Sequence, residues 1–206
     1  MEKEDLLESL AEKNFPSEIL NAFSNVKRED FTPKNVKTMA YDDTALPIGH
    51  GQTISQPYTI ALMLSLLHLK KGQKVLEIGS GSGYVLALLS ELVGEKGRVF
   101  GVEVVKELAE KSKENLVEYG KNIKVHNKNG IDGFKEEANF NGIVVSAALR
   151  DIPEKLLEQL KVGGVLVAPK GSRFEQEIIA IQRKSKTEFE VKKKIPGFIF
   201  VPFVEY

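Results

Sequence analysis

The sequence predicts an α/β fold: a mostly parallel sheet flanked by helices, with antiparallel strands added at the C-terminus and a small helical piece at the N-terminus. Three observations carry this expectation. Short apolar runs alternate with stretches of helical spacing from Lys74 to Ala168, the pattern of parallel strands joined by right-handed crossovers. The first run, Val75, Leu76 and Ile78, leads into Gly79, Gly81 and Gly83 and then into an apolar helix. Strand, glycine turn and helix together open a nucleotide-type site, because free N–H groups at the helix start aim into the crevice. After Pro169 the helical spacing stops, and two extended runs, 175–183 and 187–195, are joined by a polar turn.

Taken in order, residues 4–25 read as two short helices. Leu6, Leu7 and Leu10 form the apolar face of the first. Pro16 and Ser17 mark a restart, and Ile19, Leu20, Phe23 and Val26 follow at helical spacing. The segment from Arg28 to Pro33 is turn-rich, and its charges read as a solvated face. Residues 41–57 form the longest non-periodic stretch before the glycines; long loops of this kind are functional or disordered, and this one is too apolar for disorder. It ends at a helix start, with Ser55 placed as an N-cap and Pro57 in the first turn. Ile60 to Leu69 then gives a strongly apolar helix. The expected elements from Lys74 are strand 74–78, helix 83–93, strand 98–102, helix 105–118 and strand 122–126. Strand 143–146 follows, then helix 153–160 ending at a Gly163-Gly164 turn, and strand 165–168. The tail, 197–204, reads as a last apolar strand.

A length of 206 residues and 42% hydrophobic content fit a single domain with a real core. The reading divides it into residues 1–57 (N-terminal helices and loop), 58–170 (α/β core) and 171–206 (C-terminal strands). The 29 basic and 29 acidic residues cancel, so no whole-chain field draws the protein to nucleic acid or membrane. There is no cysteine, and His50, His68 and His126 show no metal-ligand spacing. The N-terminus lacks signal-peptide character and no apolar run approaches a membrane span. The expectation is a cytoplasmic monomer without a metal.

The candidate site starts from the glycines. Their spacing is G-x-G-x-G, not the G-x-G-x-x-G of dinucleotide folds, and Glu77 stands two residues before Gly79. Glu103 closes the second strand twenty residues after Gly83, where a carboxylate can accept hydrogen bonds from the ribose hydroxyls of an adenosine. Val104 follows it. That spacing suits NAD and S-adenosylmethionine equally. Asn129-Gly130, after the third strand, is placed either to meet an adenine edge or to make a plain turn. Ser146-Ala147-Ala148 ends the fourth strand, where small residues leave room for a substrate. His50 reads as a structural loop histidine.

Pro47-Ile-Gly-His-Gly-Gln-Thr-Ile-Ser-Gln-Pro57 followed by Val75-Leu-Glu-Ile-Gly-Ser-Gly-Ser-Gly-Tyr84 resembles the protein-L-isoaspartate O-methyltransferases. The resemblance continues through Ile152-Pro153, Leu157 to Leu160, Gly163-Gly164 and Phe200-Val-Pro-Phe203, so it spans nearly the whole chain. It implies a Rossmann-like methyltransferase that uses S-adenosyl-L-methionine, releases S-adenosyl-L-homocysteine, and esterifies the free carboxyl of L-isoaspartyl residues in damaged proteins and peptides. By position it makes Ser55 the active-site serine, sets Thr53 and Ile54 beside the methionine end of the cofactor, and assigns Glu77, Gly79, Gly81, Gly83, Glu103, Val104, Asn129 and Gly130 to the cofactor site. A carboxylate acceptor is ionised near neutral pH, so Ser55 is expected to position and not to attack. Three places depart from the family pattern. Asn129 and Asn141 stand where aspartate is usual, and Leu149-Arg150 stands where small residues and proline are common, which would narrow or re-aim the substrate mouth. Other readings are a methyltransferase with another acceptor, a nicotinamide oxidoreductase, and a binding module without turnover.

Overall fold

The sheet grows outward from Lys74–Ile78 in both directions. The computed structural model describes residues 1–204; the last two residues of the expected C-terminal segment lie outside that description. Two helices open the chain, α1 (Lys3–Glu12) and α2 (Ser17–Asn25), followed by 3-10 turns at Arg28–Phe31 and Lys34–Met39. A small hairpin, β1 (Leu46–Gly49) and β2 (Gln52–Ile54), precedes α3 (Pro57–Leu66). Then come β3 (Lys74–Ile78), α4 (Tyr84–Val93), β4 (Arg98–Glu103), α5 (Lys106–Asn115), β5 (Ile123–Asn127) and β6 (Phe140–Val145). The chain finishes with α6 (Glu154–Glu158), β7 (Leu160–Gly171), β8 (Gln176–Arg183) and β9 (Phe189–Phe198).

The strand order is β5-β4-β3-β6-β7-β8-β9, with β3 to β7 parallel and the β7-β8 and β8-β9 pairs antiparallel. Both faces of the central strands β3, β4, β6 and β7 are buried, as a parallel sheet requires. Val75, Val99, Val144 and Val167 point to one face with α2, α3 and α4. Their neighbours Leu76, Phe100, Ile143 and Leu166 point to the other with Leu156 of α6. Each such side chain contributes roughly 1.5–3 kcal/mol when fully buried. Strand order reverses at β3, between β4 and β6. Open α/β sheets hold ligands at this point, beyond the carboxyl ends of the strands.

Several expectations need correction. The hairpin at 46–54 lies inside the stretch read as non-periodic; its strands are too short to show alternation, and its His50-Gly51 loop has positive φ at both residues (54° and 70°), the I′ pattern. Gly163-Gly164 does not end the helix, which stops at Glu158; it forms an irregularity inside β7. A Cβ on Gly164 would lie 2.9 Å from Phe140 O, so glycine lets β7 close on β6. Arg28 is not on a solvated face but fully buried. The tail is not a strand: β9 ends at Phe198, and only an isolated bridge joins Pro202 to Ala148.

Candidate active site

Residues from four parts of the chain meet above the carboxyl ends of β3 and β4. They enclose a cleft between the glycine turn, the step from β2 into α3 and the C-terminal tail. Thr53, Ile54 and Ser55 come from β2 and the step into α3. Glu77, Gly79 and Gly81 come from β3 and its turn, Glu103 and Val104 from the end of β4, and Gly130 from the loop after β5. Thus nine of the eleven residues assigned above to the active serine and the cofactor site line one cleft, joined by Ser146 and Ala147 after β6. Gly83 and Asn129 are not among its lining residues.

The glycine turn needs its residue type. Gly79 and Gly81 have φ of +79° and +50°, where a side chain is strained. Gly83, at +93°, is instead the N-cap of α4; a Cβ there would meet Ser112 Oγ at 2.6 Å and Leu116 at 3.1 Å, so it serves helix packing. A Cβ on Gly130 would lie 2.4 Å from Ile78 Cγ2, so glycine lets this loop pack directly on β3 beside the cleft. Beside it, Asn129 Oδ1 accepts from Ile131 N at 2.9 Å, closing a local turn.

Two carboxylates set the electrostatics. Glu103 is 5% exposed and held by backbone: Oε2 accepts from Gly81 N (2.8 Å) and Oε1 from Val105 N (2.9 Å). Each oxygen keeps a further lone pair for a ligand hydroxyl. Glu77 is 1% exposed; its Oε1 accepts from Ser146 Oγ at 2.7 Å, while Oε2 has no partner among the described residues. Burial pushes this carboxyl up to about 8; the Ser146 bond opposes that shift and nearby Glu103 adds to it. An orphaned buried acceptor costs about 1–3 kcal/mol or more, so Glu77 is built to meet a donor or a cation.

Ser55 lines both this cleft and an adjoining groove, as do Thr53 and Val201. Ser55 is not the cap of α3, contrary to the sequence reading. The N-cap position is Gln56, whose side chain makes no capping bond. Asp43 supplies the cap: Oδ1 accepts from Tyr58 N at 2.8 Å and Oδ2 accepts from Gln56 Nε2 at 3.1 Å. The Ser55 hydroxyl therefore remains without a hydrogen bond among the described residues. The loop carrying Asp43 is tied down by Arg28, whose Nη2 donates to Thr44 O at 3.1 Å and whose guanidinium lies 5.7 Å from the Tyr84 ring centroid. Desolvation lowers Arg28 to about 10, still cationic at neutral pH.

The departures noted in the sequence fall outside the cleft. Leu149 is buried in the core beside Leu156 and Arg150 is exposed, and neither lines the mouth. Asn141 Oδ1 accepts from Lys74 N at 3.0 Å, at the opposite end of β3. His50 sits exposed in the hairpin turn. Sequence reasoning missed the wall made by the tail, residues 201–204, and the reach of Ile48 from β1 over Gly81.

A family model described as protein-L-isoaspartate(D-aspartate) O-methyltransferase matches residues 1–206. The chain belongs to this family. It is 44% identical over 207 residues to the protein-L-isoaspartate O-methyltransferase of Methanothrix thermoacetophila, covering 99% of this chain and 95% of that one. With the Methanosarcina mazei protein of the same name it shares 45% identity over 200 residues, covering 97% and 82%. A solved protein-L-isoaspartate O-methyltransferase superposes with a TM-score of 0.87 at 29% identity. The match covers 98% of this chain, which spans 65% of that structure's length. A Plasmodium falciparum structure assigned to the same enzyme, in complex with S-adenosyl-L-homocysteine, gives 0.83 at 28% identity, covering 97% of each chain. Among the described residues no cluster of three or more His, Cys, Asp or Glu is placed to hold a metal, and no helix is long and apolar enough to cross a membrane.

Proposed function

We propose that the protein transfers a methyl group from S-adenosyl-L-methionine to the free carboxyl of L-isoaspartyl residues in proteins and peptides, as a single methyltransferase domain. The observation that carries this reading is the unpartnered Ser55 hydroxyl at the junction of two cavities. One cavity suits an adenosine-bearing cofactor; the other is open enough for a polypeptide.

The residues fit the cofactor. Glu103, fixed by two amides, is suited to the ribose hydroxyls. Gly130 and Val104 wall the adenine end, and Gly79 and Gly81 allow close backbone approach. The orphaned Glu77 Oε2 is suited to the ammonium of the methionine end. When bound, the cofactor supplies a sulfonium methyl already activated by its charge. Asn129 is assigned to the adenine edge in this reading, and its Oδ1 also closes the turn that sets Gly130.

The chain's part in the reaction is placement. The acceptor carboxylate is ionised, so no general base is required. Ser55 Oγ donates a hydrogen bond to it and fixes which oxygen faces the methyl. Thr53 and Ile54 hold the same wall, while Ile48 from β1 and the 201–204 tail cover the cleft and exclude water. Proximity of this kind contributes up to about 7–11 kcal/mol. Labelled methyl transfer to an isoaspartyl peptide, against its aspartyl twin, tests the reading; label on neither peptide refutes it.

A further inference from the structure

The C-terminal tail walls the cleft, yet the sheet does not hold it. Gly197, at φ +94°, forms a bulge opposite β8; the ladder closes once more at Phe198 opposite Gln176, and β9 ends there. Val201, Pro202 and Phe203 then lie against the cofactor cleft, and Ile199, Phe200 and Val201 against the adjoining groove. One attachment is backbone: Ala148 N donates to Val201 O at 2.8 Å, and Phe203 N donates to Ala148 O at 2.9 Å. A second is a side chain. Gln176, 4% exposed at the start of β8, accepts from Phe200 N through Oε1 at 2.7 Å and donates from Nε2 to Phe200 O at 3.3 Å.

We propose that Gln176 is a positioning residue for methyl transfer: by pairing with both backbone polar groups of Phe200, it sets the tail against cofactor and acceptor. This rests on the methyltransfer reading above. Two further facts support it. Ile178 and Ala180, which follow on the same face of β8 at the strand period, are apolar and buried. An amide in that row is costly unless both its ends are paired, and here both are paired with the tail. Phe200 is itself buried, so its backbone N–H and C=O need partners other than water. The amide thus replaces the neighbouring strand that the tail lacks, one residue before Val201, which borders both cavities.

The test uses Gln176→Leu, which keeps the bulk and removes both bonds, and Gln176→Glu, which keeps the acceptor for Phe200 N–H. Three quantities are read: amide hydrogen exchange, calorimetric affinity for S-adenosyl-L-homocysteine, and kcat and KM for an isoaspartyl peptide. Gln176→Leu should speed exchange in the tail, weaken product affinity about tenfold and raise the peptide KM by a similar factor. Exchange in β3 and β4 should stay at the parent rate, and Gln176→Glu should fall between. Faster tail exchange with unchanged affinity and KM overturns the proposal. So does equally faster exchange in β3 and β4, which would make Gln176 a core residue alone. If the parent binds S-adenosyl-L-homocysteine but methylates no isoaspartyl peptide, the acceptor assignment fails, and the exchange and affinity results still decide Gln176. A parent that does not bind S-adenosyl-L-homocysteine overturns both.

Discussion

Glu77→Gln probes the buried carboxyl beneath the cleft. In the native protein burial raises this group from the usual 4.5 to about 8. Between those values the folded state holds a proton that the unfolded chain has released. Its contribution to stability is therefore fully present below about pH 4.5, falls as pH rises, and is lost above about 8. The interval is about 3.5 pH units, and at about 1.4 kcal/mol per unit the loss is at most about 5 kcal/mol. The substituted amide would still accept from Ser146 Oγ without titrating. Urea unfolding at pH 4.5, 6.5 and 8.5 should show the variant and parent nearly equal at the acid end. The variant should be more stable by a few kcal/mol at the alkaline end. Product binding adds a second readout at pH 7. If the ammonium of S-adenosyl-L-homocysteine meets Glu77, binding drives the carboxylate to ionise and releases a proton to the buffer, in the parent only. Equal pH slopes for variant and parent would refute the buried, protonated assignment.

Ser55→Ala should lower kcat for an isoaspartyl peptide about 10- to 100-fold, the range of one hydrogen bond to a charged group, with calorimetric product affinity nearly unchanged; intact turnover would remove Ser55 from the reacting centre. Glu103→Ala should weaken S-adenosyl-L-homocysteine binding and also loosen the glycine turn, because Gly81 N and Val105 N lose their acceptor; unaltered affinity by calorimetry would remove it from the site. Asp43→Ala should cost about 1 kcal/mol as a lost helix cap in thermal unfolding and lower kcat as well, since it also holds Gln56 next to Ser55. A stability loss with kcat intact would make Asp43 structural only.

What the sequence revealed was what the chain encodes locally. Strand β3, its glycines and α4 were legible because apolar run, turn and helix follow one another without interruption. Glu103 was legible from its fixed distance down the next βα unit. The hairpin that carries Thr53 and Ile54 showed no strand pattern, and its place beside the cofactor cleft came from the motif. Long-range partners were hidden. Ser55 reads as a cap until Asp43, 15 positions from Tyr58 in the chain, is seen to take that role. Arg28 reads as a surface charge until Thr44 and Tyr84 are found around it. Leu149 looked like an obstruction because sequence gives no facing; its side chain enters the core instead. The apolar tail resembled a strand by composition, but the ladder ends where Phe198 pairs with Gln176, and beyond it the Gln176 side chain takes up the backbone of Phe200.

The most direct test of the central claim is transfer of labelled methyl from S-adenosyl-L-methionine to two synthetic peptides that differ only in L-isoaspartate against L-aspartate. The account predicts base-labile label on the isoaspartyl peptide alone, as an ester requires. Label on neither peptide, with S-adenosyl-L-homocysteine binding confirmed by calorimetry, would contradict it and leave a cofactor-binding scaffold with another acceptor or none.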